Sequence, residues 1–516
     1  MKSPAEALDA TPRPSGARGA LTLMIGTLGS RVTGLLRISL LNQLFSQTIT
    51  DAFNVAFKVP NLFRELLAEG ALTNSFVPVY KSLPRVEARR LTGALLSLLL
   101  FVNTILVLLA VWAAPLLVRL LLSGGHVDFD LAVTLSRIVF PFLAAISFAA
   151  LAMGVLNAEE RFFAPAWAPV MLNVTTALVM LAFPGHAVML AAAFVIGGAA
   201  QLAFQIPFLA RLGLLPKLGH LWHPALAGVL LLMVPFAFTT GARQFLNVVA
   251  TNILDQLPPG SQTAFVNAET FLSLALGLFS ISPALAYYSR LSANAVEEPA
   301  AFPATLLEGL RLISFLTVPA GLTLLVLAEP AVQAVLNWIT AFDPEAGTDP
   351  ETLRLSAAAL APLGLAVFPM GVNHLLLRTF YIRRRVRTPV AVVVAFVAFN
   401  ATLYFLLAPL YGIAGLSVAT AVVGWLQLVA LLALVVRREG LKPVDFSVHA
   451  LKVWLAAGVA AGTAMLLLPV LPAPPGWWGY LAQAATGVAA IGVIYLAMCN
   501  LLGVPEASRL TRVGRR

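Results

Sequence analysis

Three arginines stand inside the first two long apolar stretches of this chain, Arg31, Arg37 and Arg64, with the acids Asp51, Glu65 and Glu69 in the same stretches. A guanidinium is a planar fork whose N–H groups match phosphate oxygens in pairs, a match the point charge of lysine does not make. Three such forks converging on one place suit a diphosphate. At 1.5 Å per residue, Arg31 falls roughly 16 Å along the first stretch and Arg64 roughly 20 Å along the second, close to mid-bilayer if both cross a membrane. A charge at that depth costs at least about 2.5 kcal/mol, so its presence asks for a reason. Arg37 falls in the outer half, Asp51 near the outer end of the second stretch and Glu69 toward its inner end. Arg31 and Arg37 project about 120° apart on a helix. They line a broad cavity, or the helix bends at Gly34 between them. The structural alternative is a set of buried ion pairs, Arg37 with Asp51 and Arg64 with Glu69 or Glu65. It is an incomplete account, because buried pairs seldom stabilise relative to apolar replacements.

The elements that carry these residues are predicted to be transmembrane helices. Of 516 residues, 59% are hydrophobic and 11% charged, against about a quarter charged in a soluble domain. The apolar residues form blocks such as Leu91–Leu122 and Val390–Leu407, the length a helix needs to cross hydrocarbon. Transmembrane strands would need alternating segments about half as long. About fourteen spans are expected: Ala20–Phe45, Asp51–Tyr80, Leu91–Leu122, Asp130–Asn157, Phe163–Phe183, Ala187–Leu212, Leu226–Leu254, Gln262–Leu291, Pro303–Ile339, Glu351–Ile382, Pro389–Leu407, Ile413–Val436, Val448–Val470 and Trp478–Leu502.

The net charge of +10 does not point to nucleic acid, because the cations sit in short loops between apolar blocks. Alternate loops carry Lys81, Arg85, Arg89 and Arg90, then Arg161, Arg211 and Lys217, Arg383, Arg384, Arg385 and Arg387, and Arg437, Arg438 and Lys442. The intervening loops, such as Ser123–Asp130 and Ala341–Pro350, lack Lys and Arg. Excess Lys and Arg marks cytoplasmic loops, so both termini are expected inside, with anionic membrane lipids as partners. Trp477 and Trp478 suit an outer interfacial anchor. Residues 1–19 read as a disordered cytoplasmic tail and 504–516 as a basic one. The single cysteine, Cys499, allows no intrachain disulfide and reads as a small buried hydrophobe. His220 and His223 lie three apart but lack the Cys or acid neighbours of a metal site. No metal or cofactor is expected.

A weak internal repeat supports duplication of a six-helix unit. An offset of 212 lays Gly29-Ser30-Arg31 on Gly241-Ala242-Arg243 and Asp51-Ala52-Phe53 on Thr263-Ala264-Phe265. An offset of 226 lays Gly198, Gln201, Leu202 and Arg211 on Gly424, Gln427, Leu428 and Arg437. Six is even, so both units share one orientation, related by an axis along the membrane normal, as in transporters with a site between the halves. The expected organisation is an N-lobe over residues 20–212, a C-lobe over 213–437 and two further helices over 438–503.

Ser30-Arg31-Val32-x-Gly34-x-x-Arg37, Thr50-Asp51-Ala52-Phe53-x-Val55-Ala56-Phe57-Lys58-Val59-Pro60-Asn61-Leu62-x-Arg64 and Ala68-Glu69-Gly70-Ala71-x-x-x-x-Phe76-Val77-Pro78 closely resemble the MurJ (MviN) lipid II flippases. Phe140-Pro141, Leu156-Asn157-x-x-x-Arg161-Phe162, Ala168-Pro169-x-x-x-Asn173 and Arg387-Thr388-Pro389 extend the resemblance over nearly the whole chain. It implies the multidrug/oligosaccharidyl-lipid/polysaccharide exporter fold: two six-helix lobes around a central cavity, with two C-terminal helices bordering a groove for the polyprenyl tail. It implies a transporter, not an enzyme, that carries lipid II, the undecaprenyl-diphosphate-linked peptidoglycan precursor, across the cytoplasmic membrane by alternating access. By this resemblance Arg31, Arg37, Asp51, Arg64 and Glu69 are substrate-binding residues. Cell-wall synthesis proteins that would act with it are not legible.

The chain departs from the family in the eighth span. Members usually carry a cavity arginine there, in Tyr-Ala-x-Arg-Leu, and often an acid three residues later. This sequence has Asn267-Ala268-Glu269-Thr270-Phe271, with Ser273 at the acid's place. Arg243 in the seventh span and Glu269 in the eighth are expected either to replace the missing arginine or to form a structural bridge. Two other functions compete. A multidrug exporter, or another polysaccharide-lipid flippase, shares the superfamily, but exporters of organic cations would favour acids in the cavity. A membrane polyprenyl-phosphate transferase would need acid clusters for Mg²⁺, and the inner loops are short and basic.

Overall fold

In hydrocarbon every backbone N–H and C=O must find its partner inside the chain, and a helix achieves this within one segment. The computed structural model describes residues 16–67, 71–219, 222–344, 346–383, 387–441, 443–470 and 474–508, and among them it contains helices and no strand. The first half comprises α1 (Gly16–Leu44), α2 (Gln47–Leu67), α3 (Ala71–Lys81), α4 (Arg85–Trp112), α5 (Ala114–Leu121), α6 (Phe129–Val139), α7 (Phe142–Ala158), α8 (Phe163–Ala182) and α9 (Ala187–Arg211). The second comprises α10 (Pro224–Asp255), α11 (Ser261–Leu276), α12 (Ser282–Glu297), α13 (Phe302–Val326), α14 (Ala328–Leu336), α15 (Pro350–Ile382), α16 (Arg387–Tyr411), α17 (Ile413–Glu439), α18 (Pro443–Leu467) and α19 (Trp477–Leu501).

Eleven helical stretches among the described residues are long and apolar enough to cross a bilayer. They coincide with the third to sixth and eighth to fourteenth of the expected spans. The remaining three expected spans fall on α1, on α2 with α3, and on α10. Prolines explain where the helices depart from the uninterrupted runs read in the sequence. Pro115 and Pro330 sit in the first turns of α5 and α14, where a missing N–H costs nothing. Leu91–Leu122 and Pro303–Ile339 are therefore each broken in two. Phe140-Pro141 likewise separates α6 from α7.

At two of the prolines inside helices a side chain from a distant helix satisfies the freed carbonyl. Pro319 in α13 frees the Phe315 carbonyl four residues earlier, and the Tyr495 hydroxyl of α19 donates to that oxygen at 2.7 Å. Pro369 in α15 frees the Leu365 carbonyl, which accepts from Trp425 Nε1 of α17 at 3.2 Å. Both prolines thus double as docking points for neighbouring helices.

Packing divides the chain into two compact units. The first contains residues through Arg37, Ala56–Pro115 and Val133–Thr240; the second contains Ile38–Val55, Leu116–Ala132 and the residues from Gly241. Both α1 and α10 therefore contribute to each unit. Phe76, Leu91, Leu95, Leu151 and Leu156 centre an apolar core in the first unit. Ile313, Leu375, Leu431, Val453 and Ile491 do so in the second, drawing α18 and α19 against α13.

Candidate functional site

Within the first unit, α1 is held against α8 by contacts on both sides of Arg31. Gly26 lies so close to the Ala166 backbone that a Cβ there would overlap it. Further along, Asn173 Nδ2 donates to the Ser30 carbonyl at 3.0 Å and to Thr33 Oγ1 at 3.3 Å. Arg31 lies between the two tethered residues and Arg37 one turn beyond them, both half-buried. The Arg37 guanidinium stacks over the Phe194 ring of α9, 4.7 Å from its centroid. Phe194 in turn meets Phe57 at 4.7 Å, and Phe57 meets Phe142 at 5.4 Å. No carboxylate pairs with Arg37 among the described residues, and its buried Nε has no hydrogen-bond partner.

Helix α2 presents a polar stripe at Asp51, Asn54, Lys58, Asn61 and Glu65, a three-four spacing that keeps all five on one helical face. Arg64 Nε donates to Asn61 Oδ1 at 2.8 Å, and Asn61 Nδ2 donates to Glu65 Oε1 at 3.0 Å. The charges of Arg64 and Arg37 lie within electrostatic reach of each other. The structure thus places these two predicted residues in the same unit, with Lys58 half-buried on the α2 stripe. Glu69 lies outside the described residues.

Asp51 belongs elsewhere. It does not pair with Arg37; its carboxylate is buried in the second unit at the N-terminus of α11. Oδ2 accepts from the Gly260 N–H at 2.7 Å, and Oδ1 accepts from the Thr263 N–H at 2.9 Å and from Thr263 Oγ1 at 2.6 Å. A carboxylate there satisfies orphan N–H groups and faces the positive end of the helix. Gly260 adopts φ +86°, which only glycine adopts without strain, and this aims its N–H at Asp51. Thr263 is the repeat mate of Asp51 at the offset of 212, so equivalent residues of the duplication meet face to face.

The rest of the α1–α2 turn joins the same seam. Asn42 and Asn267 exchange reciprocal amide hydrogen bonds of 2.9 and 2.8 Å. Asn54 Nδ2 donates to Thr263 Oγ1 at 3.0 Å, and Gln43 Oε1 accepts from the Ile339 N–H at 2.7 Å. The Ser39 hydroxyl donates to the Val335 carbonyl and accepts from Trp338 Nε1. Glu269 is half-buried on α11. The Arg243 side chain lies outside the described residues, and the expected Arg243–Glu269 pairing lies there with it.

Residues 41–484 match the family described as lipid II flippase MurJ. The chain belongs to the MurJ family. Its relatives include the lipid II flippase MurJ of Burkholderia cenocepacia, 32% identical over 82% of this chain and 84% of that one. The probable lipid II flippase MurJ of Vibrio cholerae is 32% identical over 93% and 94%. A solved structure of a lipid II flippase MurJ in an inward closed conformation shares the fold with a TM-score of 0.77 at 21% identity, covering 93% of this chain and 99% of that one. An inward-facing multidrug MATE transporter shares it at 0.64 and 16% identity, covering 81% and 94%. The protein is a multi-pass helical transporter of the MurJ type, not an enzyme.

Sequence reasoning overlooked Phe194, the tether role of Asn173, and Lys58. The polar stripe on α2 was open to detection, since five polar residues at helical spacing are unexpected in an apolar span. Phe194 carried no such signal within Ala191–Ile196. His223, weighed above for metal, caps α10 instead: Nδ1 accepts from the Ala225 N–H at 3.1 Å while Nε2 faces Glu87 at 3.1 Å.

Proposed function

We propose that this chain translocates lipid II from the inner to the outer leaflet of the cytoplasmic membrane by alternating access. The observation that carries this reading is the Arg37–Arg64 pair of cations in the first unit, set in a chain whose relatives are lipid II flippases. A diphosphate leaving water must regain its hydrogen bonds from protein donors, and guanidinium groups supply them in pairs. Arg31 completes the head-group site in this proposal. The N-terminal six spans and the next six act as its two lobes, and the polyprenyl tail follows the groove of the last two. Asp51 acts differently. It locks the α1–α2 turn to α11, and that lock must open for substrate to leave.

The test is reconstitution of the purified protein in sealed liposomes. Fluorescent lipid II should cross at a rate well above that of protein-free vesicles, and undecaprenyl diphosphate without sugars should compete. Extrusion of organic cations with no movement of lipid II would replace this reading with a multidrug exporter.

Both termini lie in the cytoplasm in this proposal, since the loops carrying Lys and Arg alternate with loops that lack them. A cysteine at Gly347 is expected to react with an impermeant thiol reagent in intact cells, and one at Arg385 is not. The opposite labelling would reverse the orientation.

Arg243, the repeat mate of Arg31, takes over for the arginine absent at Thr270, and Glu269 holds it while the site is empty. A charge at that depth needs a partner. Arg243→Ala should then abolish transport, whereas Glu269→Gln should only weaken it. If the double variant Arg243→Leu with Glu269→Leu transports normally, the pair is a structural bridge and nothing more.

A further inference from the structure

We infer that Phe194 is a positioning residue for the head-group site, holding the Arg37 guanidinium at depth by its π face so that the N–H donors stay available to the diphosphate. This rests on the reading of Arg37 as a head-group ligand. A buried cation must be compensated. Carboxylates do this elsewhere in the chain, as where Glu439 meets Arg383 at 2.7 Å. A carboxylate has a defect at a substrate site: it occupies the same N–H edge that a phosphate needs, so substrate must displace it.

A ring face compensates the charge from above the guanidinium plane and leaves the in-plane donors uncovered. Arg37 has that arrangement, at 4.7 Å over Phe194 with no carboxylate partner among the described residues. The ring cannot turn aside to release the cation. Phe194 is 3% exposed and packs on Phe57, which is itself backed by Phe142. Three helices, α2, α7 and α9, thereby fix one guanidinium of α1. The device favours anions: a cationic ligand would find the π face already taken and the donor edge repulsive.

The experiment measures affinity for undecaprenyl diphosphate, with the full-length protein in lipid nanodiscs, alongside the thermal midpoint of each variant. Phe194→Leu and Phe194→Met remove the π face, and Phe194→Tyr keeps it. Leucine and methionine should each weaken binding about threefold to thirtyfold, the span of a cation–π contact from exposed to desolvated sites. Tyrosine should bind within about twofold of the parent. Methionine fills most of the ring's volume, so it carries the comparison if leucine does not fold. In an Arg37→Ala background, Phe194→Met should change binding by less than about twofold, because the partner is gone. Parent-like binding by Phe194→Met, or tyrosine as weak as methionine, overturns the inference. If Arg37→Ala itself binds the diphosphate normally, the head-group reading fails first; if only the Phe194 variants bind normally, the reading stands and the π-face role does not.

Discussion

Arg37→Ala is expected to lower lipid II translocation at least about a hundredfold, and Arg37→Lys to recover little of it. The magnitude follows from the bonds lost. A guanidinium gripping a diphosphate makes two charge-assisted hydrogen bonds of about 1.5–3 kcal/mol each, and each 1.4 kcal/mol is about tenfold. Lysine keeps the charge but not the fork, and its compact ammonium is more strongly hydrated. The same substitutions at Arg31 and Arg64 should act in the same direction. Arg64 already bonds Asn61 through Nε, so that edge is committed before any substrate arrives. Initial rates of translocation in proteoliposomes decide the matter, with thermal midpoints to separate function from folding. Normal rates for Arg64→Ala in a stably folded protein would leave that residue a structural role only. Rescue by lysine at all three positions would mean that the site reads charge and not the geometry of a diphosphate.

What the sequence makes legible here is whatever depends on neighbours along the chain. Apolar block length predicts the helices, and prolines mark where they break or bend. Pro319 and Pro369 announce a freed carbonyl, but not that Tyr495 and Trp425 satisfy them. Those partners lie on other helices and look like ordinary aromatic residues of apolar spans. The arginines are legible because charge in hydrocarbon is costly wherever it stands. Asp51 stands out by the resemblance as a substrate-binding residue, with an ion pair to Arg37 as the structural alternative, but its partners are not legible. The acceptor demand of a helix N-terminus places its carboxylate on Gly260 and Thr263. The repeat offset contained a clue, since residues equivalent under a two-fold meet when they lie at its axis.

The seam around Asp51 leads to the second large effect. Asp51→Asn should abolish transport, and Thr263→Val should reduce it by a lesser, measurable factor. The carboxylate accepts three hydrogen bonds, two of them from backbone N–H groups that no side-chain change can remove. Asparagine keeps one acceptor oxygen and turns an NH₂ toward one of those N–H groups. Two donors then face each other in a buried site, where Asp51 is 6% exposed. Losing one or two charge-assisted bonds and leaving a buried donor unmade costs about 3–5 kcal/mol, which shifts the closed-to-open equilibrium of the seam on the order of a hundredfold or more. A carrier must visit both states in each cycle, so stranding it in one stops transport even if the helices remain folded. Valine at position 263 preserves shape and the backbone N–H and removes both hydroxyl bonds, the one to Asp51 and the one from Asn54. Their loss costs about 1–3 kcal/mol, roughly a fivefold to 150-fold shift. Asp51→Glu should resemble Asn more than the parent, because the extra methylene does not fit between Gly260 and the packed turn. The closed state can be counted directly by cross-linking cysteines placed at Asn54 and Thr263, whose side chains already bond at 3.0 Å. Cross-linking efficiency should fall in Asp51→Asn together with transport. Efficient cross-linking in an inactive Asp51→Asn protein would separate the two effects and return Asp51 to the substrate site, as the sequence first suggested.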